Sequence, residues 1–105
     1  MKMLQNGINQ KFFLAAMIIN PQDFTQIKYR FDRGGFIGNV KILDQQGRVI
    51  RQIAQNELLG TEGFFRWDGE QDNGSKARIG YYLVWFEIFD AGGMLRTYKK
   101  RVAVY

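Results

Sequence analysis

Apolar and polar residues alternate with a period of two through most of the chain. Thr25, Ile27, Tyr29 and Phe31 interleave with Gln26, Lys28, Arg30 and Asp32, which puts four strand-forming side chains on one face and polar groups on the other. Asp32-Arg33-Gly34-Gly35 supplies a turn. The alternation resumes over 36–43, with Val40 and Ile42 inward against Asn39 and Lys41. Asp44-Gln45-Gln46-Gly47 reads as a hairpin connection in which Gly47 takes a positive φ. The returning strand, 48–54, is less cleanly alternating, which suits a sheet edge. The segment 55–62 reads as a loop crossing between sheets, with Leu58 and Leu59 capping one end of the core.

The longest apolar run belongs to a hairpin over 63–89. Phe64-Phe65-Arg66-Trp67 ends in Asp68-Gly69, a polar loop carries Asn73-Gly74, and Gly80 opens Tyr81-Tyr82-Leu83-Val84-Trp85-Phe86-Glu87-Ile88-Phe89. Taking Glu87 as the solvent marker, Tyr82, Val84, Phe86 and Ile88 face the core, and Tyr81, Leu83, Trp85 and Phe89 share the outer face. That outer face is unusually apolar. Asp90-Ala91-Gly92-Gly93 turns the chain into a last strand, 94–105, with Tyr98, Val102 and Val104 on one face. Arg96 and Lys100 fall on that same face, so either a bulge shifts the register or the face is only partly buried.

Before residue 24 the pattern is weaker. Residues 1–9 show no sustained period and read as a poorly ordered lead-in to a single domain over 10–105. The run 10–19 is read as a buried first strand; it looks like a signal-peptide core but lacks an A-x-A cleavage site. Asn20-Pro21-Gln22-Asp23 is a turn. About seven strands with turn signals every 8–12 residues predict an all-β, Ig-like or fibronectin-III-like antiparallel sandwich, with a small closed barrel as the alternative.

Composition narrows the chemistry. None of the 105 residues is cysteine or histidine, so disulfides, thiolate nucleophiles and Ser-His-Asp catalysis are excluded by inventory, along with the commonest metal ligand. The formal charge of +5 is spread along the chain and reads as a solvated surface. No apolar run approaches the ~20 residues that span a bilayer, so no membrane span is expected.

Asp68, Glu70 and Asp72 stand at alternate positions, as at the start of a calcium loop. The sixth and twelfth places, where an EF-hand needs glycine and a bidentate glutamate, hold Asn73 and Ile79. Asp68 is therefore read as a turn cap and Asn73-Gly74 as a tight turn, with no metal or other cofactor. The three carboxylates lack the opposed geometry of a glycosidase pair, so no catalytic residue is assigned. The basic run Arg96, Lys99, Lys100 and Arg101 beside Tyr98 reads as a protected edge, not as a nucleic-acid surface.

Taken as a set, Asp44-Gln45-Gln46-Gly47-Arg48-Val49, Phe65-Arg66-Trp67-Asp68-Gly69, Asp72-Asn73-Gly74, Gly80-Tyr81-Tyr82 and Tyr98-Lys99-Lys100-Arg101-Val102 resemble the Ig-like domain of the FlgD type. Such domains also stand at the C-termini of secreted and surface proteins of Bacteroidetes, including type IX secretion cargo. The likeness spans 24–105. It lacks the acidic loop that many relatives carry before the first of these strands, having only Asn20 to Asp23 there. It implies a secreted or cell-surface location and a non-catalytic spacer, anchoring or secretion-associated role as the C-terminal part of a larger protein. The implied partners are neighbouring domains or a surface or secretion component. In that framework Trp67, Asp68, Gly69, Asn73, Gly74, Gly80 and Tyr82 are structural turn and core residues. The alternative expectation is a carbohydrate- or protein-binding module using Tyr81, Leu83, Trp85 and Phe89, since an aromatic exposed on a sheet face can dock a sugar ring or another domain.

Overall fold

The computed structural model describes residues 2–4, 13–18 and 25–104, the first two segments as backbone only. Within them the chain is all β, an antiparallel sandwich of two four-stranded sheets. In chain order the strands are β1 (Lys2–Leu4), β2 (Phe13–Ile18), β3 (Thr25–Arg30), β4 (Ile37–Leu43), β5 (Val49–Leu58), β6 (Glu62–Trp67), β7 (Gly80–Phe89) and β8 (Leu95–Val104). One sheet runs β1-β2-β3-β6 and the other β5-β4-β7-β8. The strand expected over 10–19 is present at 13–18. The turn expected at 20–23 lies outside the described residues. Lys2–Leu4, inside the expected lead-in, forms a strand against β2, so the described strands number eight.

The alternation in β3 and β7 translates directly into burial. Ile27, Tyr29 and Phe31 point into the sandwich, and so do Tyr82, Val84, Phe86 and Ile88 from the other sheet. An aromatic cluster joins the two layers. The Tyr29 ring lies 5.7 Å from both Phe65 and Phe86, Phe65 and Phe86 are 5.9 Å apart, and Phe31 leads on to Phe36 at 5.1 Å. Such offset and edge-to-face pairs add to plain area burial. Gly63 stands opposite Tyr29 across β3 and β6, where a Cβ would meet the tyrosine hydroxyl at 2.6 Å. Trp67 is 2% exposed, as its core assignment requires. Its ring meets Tyr82 edge-on at 5.6 Å, and its indole N–H donates to the Glu70 carbonyl at 2.9 Å.

The expected crossing loop and its pair of capping leucines need correction. The segment 55–62 is not a loop: β5 continues to Leu58, and Leu59 to Thr61 suffices to cross between sheets. The pairing of β4 with β5 is irregular at several points and Asn56 takes a φ of 49°, so the bulged strand loses the period of two that would have revealed it. Leu59 does cap the core, but Leu58 is 73% exposed. On β8 the pairing with β7 is unbroken. No bulge removes Arg96 and Lys100 from the inner side; both are half-buried there.

The β4–β5 and β7–β8 turns are built alike. Asp44 Oδ1 accepts the amides of Gln46 and Arg48, and Asp90 Oδ1 those of Gly92 and Met94, all within 2.9–3.0 Å. Gly47 and Gly93 occupy the fourth place at φ 82° and 92°, a conformation that costs a residue with a Cβ about 1–2 kcal/mol. Two aspartates in different hairpins thus perform the same backbone task.

Candidate functional site

The polar loop 68–79 closes on itself and then on β5. The Asp68 carboxylate accepts the Glu70 amide at 3.0 Å, and Asn73 Oδ1 accepts both the amide and hydroxyl of Ser75. Gly69 and Gly74 take φ of 86° and 88°. Asp72 reaches further: its amide donates to the Ile50 carbonyl at 2.8 Å, and its carboxylate accepts the Gln52 amide at 3.1 Å. Backbone groups on the open edge of β5 are thereby satisfied by the loop. The three carboxylates do not converge: Asp68 holds its own turn, Glu70 lies 3.7 Å from Lys76 Nζ, and Asp72 holds β5. Among the described residues no group of three or more metal-ligating side chains is assembled.

A cleft of about 460 Å³ opens between this loop and the β4–β5 turn, lined by Asp44, Gln45, Arg48, Gln71, Arg78 and Tyr82 among others. Its polar atoms are largely spent on the protein. Asp44 Oδ2 pairs with Arg48 Nε at 2.8 Å, Gln45 donates to the Tyr81 carbonyl, and the Tyr82 hydroxyl donates to the Arg78 carbonyl at 2.7 Å. The Asp44 carboxyl is held below the usual carboxylate value by the Arg48 amide first, then by the Arg48 guanidinium and the Gln46 amide. Asp90 is lowered likewise, first by its hydrogen bond from Arg33, whose Nη2 lies 2.7 Å away. Burial raises the phenols of Tyr29 and Tyr98, and Glu57 adds to the shift at Tyr29.

The other candidate is the outer face of β5-β4-β7-β8. Tyr81, Leu83, Trp85 and Phe89 do lie together on it, Tyr81 57% exposed and the other three half-buried. Trp85 is thus neither inward-facing nor fully open. Lys41 of β4 and Lys99 of β8 stand opposite it on either side, with the Lys99 ammonium 4.6 Å from the ring centre. Arg101 sits 4.8 Å above Tyr81. Strand periodicity therefore divides the basic run of β8: Lys99 and Arg101 project outward, Arg96 and Lys100 to the inner side.

Sequence reasoning missed how far this face extends. Register across four strands sets side chains in rows. Leu58, Ile37, Phe89 and Leu95 form the first, Asn39, Glu87 and Thr97 the second, Lys41, Trp85 and Lys99 the third, and Val49, Leu43, Leu83 and Arg101 the fourth. Leu58, Leu95 and Val49 are 73%, 62% and 49% exposed. Each row draws on three or four strands distant in sequence, and the local signal was confined to the members in β7, Phe89, Glu87, Trp85 and Leu83.

No family model matches the chain, and no curated protein matches it in sequence. Among solved structures the chain is similar to CopC from Methylosinus trichosporium OB3b, at 18% identity and a TM-score of 0.53, over 89% of this chain and 92% of that one. At that identity the likeness shows a shared β-sandwich fold.

Proposed function

We propose that this chain is a non-catalytic accessory domain, a spacer, anchor or secretion-associated β-sandwich of Ig-like, FlgD-like type, belonging to an exported or cell-surface protein. The observation that carries the reading is where the polar side chains go. The aspartates and amides of the turns and of the 68–79 loop are committed to backbone groups and to one another, in a chain without cysteine or histidine. The motif set around Trp67-Asp68-Gly69, Asn73-Gly74 and Gly80-Tyr81-Tyr82 supports the family part of the reading, since Trp67, Asp68, Asn73 and Tyr82 make hydrogen bonds within the hairpin and the three glycines take positive φ. Its partners would be neighbouring domains or a surface or secretion component. A carbohydrate ligand at Trp85 is less favoured, because the Lys99 ammonium lies over the indole that a sugar would stack on.

Fractionation of cells producing the native protein, combined with protease shaving of intact cells, tests the proposal. The chain is expected in the medium or in the shaved surface fraction. Recovery from the cytosol alone, protected from protease, would sink it.

A further inference from the structure

The outer face of β5-β4-β7-β8 has a pattern that is complementary to itself. Its rows read apolar, acidic, basic, apolar: the Ile37–Phe89 row, the Glu87 row, the Lys41–Trp85–Lys99 row and the Leu43–Leu83 row. Neither Glu87, Lys41 nor Lys99 is in an ion pair among the described residues. We propose that this face is the contact surface for a second copy of the chain, in an isologous dimer whose twofold axis crosses the strands between the Glu87 and Trp85 rows.

The axis follows from the charges. A twofold running across the strands keeps β7 over β7 and reverses the order of the rows. The first row then meets the partner's fourth, apolar on apolar over β5, β4 and β7 with Arg101 over the partner's Leu95 at the β8 edge, and Glu87 comes to rest over the partner's third row, between its two lysines. A twofold running along β7 would instead set each row against itself, Glu87 over the partner's Glu87 and Lys41 over the partner's Lys99, which is repulsive. Exposed Leu58, Leu95 and Val49 extend the two apolar rows towards the sheet edges, and burying them supplies the driving force, while the charged rows fix the orientation. Sheets packed face to face cross at about −30°, so the central rows make the closest contact.

The size of the face sets the strength. Four strands about 4.8 Å apart and four rows about 6.8 Å apart cover about 20 × 20 Å. That is roughly 800 Å² counted over both copies, at the low end for specific association. The pairing is therefore weak, reversible and weakened by salt. It does not depend on the accessory reading, since a cytosolic protein could pair in the same way.

Sedimentation velocity of the full chain at low salt, over roughly 1 µM to 1 mM, tests the proposal. The wild type should pass from monomer to dimer. Glu87→Lys should weaken self-association tenfold or more, because the new ammonium faces the partner's two lysines; the double variant Lys41→Glu/Lys99→Glu should do so for the opposite reason. Mixed together, the two variants should associate again, because every acidic position then faces basic ones across the interface. All three positions are on the outer face, and melting curves check that each variant is folded. A wild type that stays monomeric overturns the proposal, including the case in which it binds a polysaccharide instead. So does a mixture of folded variants that associates no better than either alone.

Discussion

The two faces of β7 are made from alternate residues of one strand, and they differ little in composition: Tyr, Val, Phe and Ile inward, Tyr, Leu, Trp and Phe outward around a single Glu. Their surroundings differ completely. Val84, Phe86 and Ile88 are at most 1% exposed because residues of the other sheet stand across from them, as Tyr29 and Phe65 do from Phe86. Among the described residues the outer side chains meet lateral neighbours in their own sheet, including Lys41, Lys99 and Arg101. Apolar character along a strand therefore marks a candidate for burial, and the opposing layer decides which candidate is buried. On the outer face long basic stems substitute for a second layer, covering aromatic rings while keeping their charges in water.

The largest effect should come from testing the two faces with one change each. Phe86→Ala should cost about 3–5 kcal/mol, as large-to-small changes in packed cores do. Its neighbour Trp85→Ala should cost no more than about 1.5 kcal/mol, because the half-buried indole is covered by the flexible Lys99 stem and not by an opposing layer. Urea midpoints of the two variants, measured at a concentration low enough to keep the chain monomeric, should differ clearly; equal shifts would mean that the faces are energetically the same.

A smaller effect is expected where neither face is involved. Asp72→Ala removes the acceptor for the Gln52 amide and should cost about 1 kcal/mol. Amide exchange at Gln52 should quicken by roughly fivefold, while exchange at Phe86 should keep pace only with the change in global stability. Uniform acceleration would place Asp72 in the cooperative core instead of on its rim.

The smallest effect belongs to the turns. Asp44 and Asp90 have carboxyls lowered from 3.8 in the folded chain, so below that pH the unfolded chain binds protons more readily. Their contribution is present above pH 3.8 and is lost as pH falls through the lowered values. The raised phenols of Tyr29 and Tyr98 act at the other end, contributing below pH 10.0 and losing that contribution as pH climbs above it. Thermal melts across pH should show a plateau with losses at both ends, and Asp90→Asn should flatten the acid limb. An unchanged acid limb would mean that other groups govern acid unfolding.

What the sequence made legible was whatever repeats locally. Ile27 and Tyr29 in β3 with Phe31 just beyond it, and Val84 and Phe86 in β7, announce their faces through strict alternation, and Asp44 to Gly47 and Asp90 to Gly93 announce their turns through residue type. Trp67 was expected in the core within the framework of the family likeness, and it is buried at the end of β6. Two kinds of feature were hidden. The irregular pairing around Asn56 erases the period of two, so the end of β5 passed for a loop and Leu58 for a core residue. The rows of the outer face are set by register between strands up to 58 positions apart, as Ile37 and Leu95 are, and no window of sequence contains them. The task of Asp72 was hidden for the same reason, since its partners Ile50 and Gln52 lie in another hairpin.

The hold of Asp72 on β5 also bears on how such a domain behaves when crowded. A free sheet edge offers its amides and carbonyls to any passing strand, and repeated capture of that kind builds fibres. On β5 the Ile50 carbonyl and the Gln52 amide are already taken by the chain's own loop, near the start of the strand along which an intruder would have to zip. One residue thus blocks two adjacent rungs of that edge, which hinders the growth of a strand-to-strand polymer through it when copies are crowded together.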